Sequence, residues 1–190
     1  GQPIEIVETN APKRPKDLQC DIHRTSVQGE NYLVLVGLLN GRPYEIFAGL
    51  QEHVEVPKKV KQGTLVKNGR NKDGIATYNL RIPIGDDDEL LFKDIVNLFD
   101  NPNHGALTRT VSLALRHGAP LQYLVEQLRK DKHSDFFSFS SVLARVFSKN
   151  YIADGTKASQ EKTCVACGGT NLQYQQGCAT CFDCGNSKCG

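Results

Sequence analysis

Methionine is absent from all 190 residues, and the chain opens at Gly1. A chain without an initiator reads as a fragment, a processed product or a downstream piece of a longer protein; a removed initiator is the other reading. No run of about 18 apolar residues occurs, so no helical membrane span is expected. The opening Gly-Gln-Pro-Ile-Glu lacks the charged and apolar regions of a secretory signal. Net charge is only +2, so no global field points to nucleic acid. There is no glycine-rich phosphate loop, no Ser-His-Asp arrangement and no carboxylate pair placed for acid–base work. The histidines, His23, His53, His104, His117 and His133, show no ligand spacing among themselves and read as surface or capping residues. The basic stretch from Lys58 to Lys72 reads as a solvated hairpin face rather than a nucleic-acid patch.

What the chain does have is cysteine, concentrated at one end. Six of its seven cysteines fall within residues 164–190: Cys164, Cys167, Cys178, Cys181, Cys184 and Cys189. Two Cys-x-x-Cys-Gly knuckles stand out, Cys164–Gly168 and Cys181–Gly185. Four thiolates on two tight turns close a tetrahedral zinc site, and a module this small has no core of its own to replace the metal. Knuckle spacing of this kind argues for a reducing cytoplasm rather than a secreted disulfide framework. The Cys-x-x-Cys-Gly rule picks Cys164, Cys167, Cys181 and Cys184 as ligands. A rival set uses Cys178 and Cys181 as its second pair and leaves Cys184 and Cys189 over. Under the first choice, Cys178 and Cys189 lie on the two arms of one hairpin. Cross-strand Cβ atoms there come within about 5 Å, near disulfide geometry. A dithiol at the end of a chain, with Lys188 beside Cys189, suits thiol–disulfide exchange. The bland alternative is that both thiols are passive. Cys20 stands apart and reads as a strand residue.

Residues 1–18, rich in proline and charge, read as an extended lead-in. Strands are expected at 19–27 and 31–39, then Asn40-Gly41 as a hairpin turn, then a strand at 43–48. A further hairpin is expected from 53–66 and 75–84, so the first half reads as an antiparallel meander. Asp86–Glu89 puts acids where a helix start favours them, and that helix would run to about Asp100. Further helices are expected at 106–117, 121–130 and 138–150. The last carries Phe139, Val142, Leu143, Val146 and Phe147 on one face. The fold class is therefore α+β, an antiparallel sheet with helices packed on it over residues 19–152. A polar linker at 153–163 follows, and then a small C-terminal zinc ribbon at 164–190.

The tail from Gly177 to Gly190, with Gly185, Ser187 and Cys189 as its closing Gly-x-Ser-x-Cys element, resembles the C-terminus of vitamin B12-dependent (class II) ribonucleotide reductases. Leu107–Leu128 looks like the helical part of the TSCPD domain of those enzymes. Arg14-Pro-Lys16 and Gly41–Phe47 look like its opening strands. The Cys-Pro-Asp triplet that names the domain has no match here, and the ten-stranded catalytic barrel is absent. The resemblance implies the C-terminal part, or a separately encoded counterpart, of an adenosylcobalamin-dependent ribonucleoside-diphosphate reductase that makes DNA precursors. It further implies that Cys178 and Cys189, or Cys184 and Cys189, carry reducing equivalents from thioredoxin or a similar dithiol donor to the barrel. Zinc would be bound by this chain and cobalamin by the barrel. A zinc-ribbon module that binds protein or nucleic acid without redox work is the alternative, and two thiols beyond the four ligands favour the relay.

Overall fold

The computed structural model of the chain describes residues 1–130, 137–158 and 162–188. His133, Cys189 and the middle of the 153–163 segment lie outside the described residues.

Six antiparallel strands form the main sheet: β1 (Asp17–Val27), β2 (Glu30–Leu39), β3 (Arg42–Leu50), β4 (Gln62–Arg70), β5 (Ala76–Ile84) and β6 (Asp88–Phe92). Their order is β3-β2-β1-β4-β5-β6. Two consecutive three-strand runs therefore meet where β4 pairs with β1, Leu18 opposite Leu65. A simple meander would have placed β4 beside β3. Instead, a single 3-10 turn at Gln51–His53 and the irregular 54–61 segment carry the chain back across the sheet.

β2 shows why both faces are covered. Successive side chains point to opposite faces. Tyr32, Val34 and Val36 enter one core with Ile46 and Ala48, while Leu33 and Leu35 enter another with Phe47, Leu65, Leu80 and Ile82. The helices α2 (Pro102–Arg116), α3 (Leu121–Leu128) and α4 (Phe137–Asn150) close the first core through Val111, Leu115, Val125, Leu143 and Phe147. The short α1 (Ile95–Phe99) plugs the second with Ile95 and Phe99. The architecture is α+β, with the sheet curled around its second core.

Two local expectations fail for physical reasons. The acidic run Asp86–Glu89 does not start a helix. Gly85, at φ 66°, turns the chain, and Asp88–Phe92 returns as β6 with Leu90 opposite Ile82. Nor does α2 wait until Ala106. Asn101, just past the expected end of the preceding helix at about Asp100, caps α2 by accepting from the His104 amide at 3.0 Å, and Pro102 takes the first helical position, where its missing N–H costs nothing.

The lead-in is extended but partly anchored. Pro12 O accepts from Tyr44 Oη at 2.8 Å, and Arg14 reaches inward to Glu45. Cys20 lies in β1, fully buried, and burial pushes its thiol up to about 12. On the helix side of β1, Tyr151 donates to Asp21 Oδ2 at 2.7 Å and shares a 2.7 Å hydrogen bond with His23 Nε2. This network ties the end of α4 to the sheet.

Burial lowers the pKa of both His23, opposed by the Asp21 charge, and His104, whose ring stacks on Phe139 with centroids 3.6 Å apart. A histidine depressed in the folded state binds fewer protons than the unfolded chain below its unfolded pKa of about 6.5. Its contribution is therefore present above that value and lost as pH falls through it. Urea midpoints should drop between pH 7.5 and 5.5, and His23→Asn should flatten the dependence. A midpoint that holds or rises on acidification would contradict this.

Candidate metal centre

Beyond α4 lies a second, three-stranded sheet of β7 (Leu172–Gln175), β8 (Cys178–Cys181) and β9 (Ser187–Lys188). Each expected knuckle flanks or ends one of these strands. The two knuckles share one backbone pattern. The Cys164 amide donates to Gly169 O and the Gly168 amide to Cys164 O, both at 2.8 Å; the Cys181 amide donates to Asn186 O and the Gly185 amide to Cys181 O, again at 2.8 Å. Gly168 and Gly185 sit at φ 73° and 82°, the left-handed region that closes such a turn without a Cβ penalty. That turn aims amides at sulfur. Ala166 N donates to Cys164 Sγ at 3.4 Å, Gly169 N to Cys167 Sγ at 3.4 Å and Asn186 N to Cys184 Sγ at 3.5 Å.

The sulfurs of Cys164, Cys167, Cys181 and Cys184 all lie within 4.8 Å of one another. Cys164 and Cys184 are 3.6 Å apart, and Cys167 and Cys181 are 3.7 Å apart. A tetrahedral zinc with Zn–S bonds of about 2.3 Å has S···S edges of about 3.8 Å, so the set fits that ion. Cys164 and Cys181 are buried, whereas Cys167 and Cys184 are exposed, which leaves the cluster open to solvent on one side. Amides of Cys167 and then Ala166 lower the Cys164 thiol to about 7. Cys167 is pushed up to about 12: the Gly169 amide pulls it down, but its sulfur neighbours outweigh that.

Cys178 is not in this group. It opens β8 and is disulfide-bonded, whereas Cys20, Cys164, Cys167, Cys181 and Cys184 are free thiols. β8 pairs with β9 in the register Ala179↔Lys188 and Thr180↔Ser187.

Sequence reading missed how the ribbon is seated. Its small core is Ala158, Cys164, Leu172, Tyr174 and Cys181, with Ile152 packed against it. Ile152 also packs against the helix-side core of the main domain. Residues read as a linker pair with β7: Gly155 N donates to Tyr174 O, Tyr174 N to Thr156 O and Ala158 N to Leu172 O. At the β7–β8 turn, a Cβ on Gly177 would stand 3.0 Å from Ser148 O and 3.1 Å from Lys149 Cα. Glycine is needed there for both the φ of 79° and the approach to the end of α4. The alternation of Leu172 and Tyr174 was the available signal for a buried face.

No helix among the described residues is long and apolar enough to cross a membrane. No curated protein and no solved structure matches the chain. A family model does: the NrdJ homologue C-terminal domain matches residues 18–153. That span takes in the six-stranded sheet and its helices and ends before the first ribbon cysteine. The chain thus belongs to the NrdJ homologue C-terminal domain family, as a C-terminal region related to class II ribonucleotide reductase NrdJ with a role associated with ribonucleotide reductase.

Proposed function

We propose that this chain supplies the electron relay of an adenosylcobalamin-dependent ribonucleoside-diphosphate reductase. In this reading Cys164, Cys167, Cys181 and Cys184 hold one structural zinc, and Cys178 and Cys189 are the exchanging pair. The observation that carries it is the division of labour at the ribbon: four free thiols converge, while Cys178, at the start of the strand that ends in Cys181, is disulfide-bonded.

The exchange balances as two electrons and two protons. One relay thiolate attacks the disulfide left in the barrel after turnover, forming a mixed disulfide and releasing one barrel thiolate. The second relay thiol resolves it, leaving a reduced barrel pair and an oxidised relay pair. A dithiol donor such as thioredoxin then reduces the relay by the same two steps. Cys164, Cys167, Cys181 and Cys184 would hold the zinc, whose share in their thiolate charge would keep them out of this exchange. Cobalamin chemistry belongs to the barrel. The groove of about 870 Å³ lined by Arg24, Glu30, Glu52, Glu55, Lys58 and Lys61 is open and charged and does not suit a corrin ring, so no step is assigned to cobalamin here.

In a complete reductase, Cys189→Ser should abolish turnover with thioredoxin and spare turnover with dithiothreitol, which reaches the barrel directly. In this chain, thioredoxin should reduce one disulfide with zinc retained, and peptide mapping should assign that bond to Cys178 and Cys189. A Cys184–Cys189 bond would move the relay to the rival pair. Full thioredoxin-dependent turnover in the Cys189→Ser enzyme would defeat the relay. It would favour the second reading, a binding ribbon, for which the exposed Val165 and Phe182 at matching positions of the two knuckles speak.

A further inference from the structure

The two edges of the main sheet are finished differently. At β3 the edge is sealed by Ser112 of α2. Its buried hydroxyl accepts from the Ile46 amide at 3.0 Å and donates to the Ile46 carbonyl at 3.4 Å. At β6, among the described residues, Leu90–Phe92 make no backbone hydrogen bond beyond the β5 ladder. An open edge offers a row of N–H and C=O groups that can pair with another chain. Ile84 and Leu91, on the last two strands, are 38% and 46% exposed. The turn into β6 carries Asp86, Asp87 and Asp88, which have no ion pair among the described residues. Glu89 is met by Arg81 at 3.6 Å.

The other end of β5 has the opposite character. Pairing of β4 with β1 stops at Val66, whereas β4 and β5 continue together to Arg70 opposite Ala76. The resulting arm exposes Lys67, Arg70 and Lys72, with Asp73 as counter-charge, and leaves Ile75 53% exposed. Nine residues of β5 separate arm from acidic turn, about 30 Å at strand rise. The two ends cannot meet within one copy.

We propose that the open β6 edge with its acidic turn is a docking surface for the basic β4–β5 arm of a second copy of this chain. Charge complementarity selects the occupant, and each side has apolar surface to bury: Ile75 on the arm, Ile84 and Leu91 at the edge. The contact joins unlike surfaces, so it is heterologous. Every docked pair keeps one unused arm and one unused edge, and the assembly grows with concentration.

Sedimentation velocity on the full chain tests this. At about 0.01 M salt charges act over about 30 Å, and at 1 M over about 3 Å. The weight-average mass should rise to at least about twice the 21.0 kDa monomer at the lower salt and return to monomer at the higher. An edge variant, Asp86→Asn/Asp87→Asn/Asp88→Asn, and an arm variant, Lys67→Glu/Lys72→Glu, should each be monomeric with unchanged melting. Mixed, they should form a two-copy particle that grows no further, because one retains only its arm and the other only its edge. A wild-type chain that stays monomeric at low salt overturns the proposal. So does association that survives in either variant, or a mixture that fails to pair.

Discussion

Cys181→Ser should abolish metal binding and unfold residues 164–188 while the six-stranded domain stays folded. Cys181 is fully buried in the ribbon and belongs both to the four-sulfur group and to the five-residue ribbon core. Among the described residues that core buries only two large side chains, Leu172 and Tyr174, with Ile152 packed against it, far too little to order a segment of this length against its chain entropy. Structural zinc in finger-sized modules contributes about 10–16 kcal/mol, so a zinc held by this group would dominate. Metal analysis of protein purified under reducing conditions should give one zinc per chain, and none after the substitution. Hydrogen exchange should collapse in β7 to β9 and persist in β1 to β5. Chelation should act as the substitution does. Wild-type protein without zinc, or loss of the main thermal transition along with the metal, would refute the assignment.

The second large effect lies at Glu45, on β3 of the main sheet. Its side chain is 0% exposed, and Arg14, 7% exposed, meets it at 2.6 Å and 3.0 Å through Nη2 and Nε. Arg116 approaches to 3.5 Å from α2. Gly37 on the neighbouring strand makes the room, since a Cβ there would fall 2.7 Å from Glu45 Cγ. Removing one partner of a buried pair leaves an uncompensated charge, at about 3–5 kcal/mol. Arg14→Ala should therefore lower the melting temperature by roughly 6–20 °C for a chain of this size, and release residues 12–16 to proteolysis. Arg116→Ala should cost less, being 27% exposed and at longer range. Arg14→Met with Glu45→Leu should recover much of the loss, because an apolar replacement removes both desolvation penalties. An Arg14→Ala protein that melts within a degree or two of the wild type would show that the pair contributes little.

Local features were legible in the sequence and distant pairings were not. The knuckles could be read because Cys-x-x-Cys-Gly is a five-residue pattern whose turn geometry is self-contained. Asn40-Gly41 could be read for the same reason, as could the apolar face of α4, which repeats at helical spacing. The Asp86–Glu89 run misled because acids favour a helix start as readily as an exposed turn; what decided was Gly85, whose positive φ turns the chain so that Asp88–Phe92 pairs back on the adjacent β5. Asn101-Pro102 was ambiguous in the same way, since the pair that stops one helix also caps the next. Arg14 and Glu45 are 31 positions apart, and nothing in either neighbourhood announces the other. The β1–β4 pairing was hidden too, because the pattern marks which face of a strand is buried and not which strand lies beside it. At the metal site, spacing named candidate sulfurs, but the seating of the ribbon depends on Tyr174, Gly177 and Ile152 acting across the join.

That join bears on how such a protein could be cut or recombined. The family match ends at residue 153, yet Ile152 packs into two cores and Gly155, Thr156 and Ala158 bond to β7. A break at 153 is therefore not a neutral seam. It would strip an edge from the ribbon and bare an apolar side chain on the domain. A gene fusion that exchanged ribbons at this point would succeed only if the incoming segment brought its own partner for Ile152 and a glycine where the chain meets the end of α4. Domain and ribbon are thus expected to be inherited together.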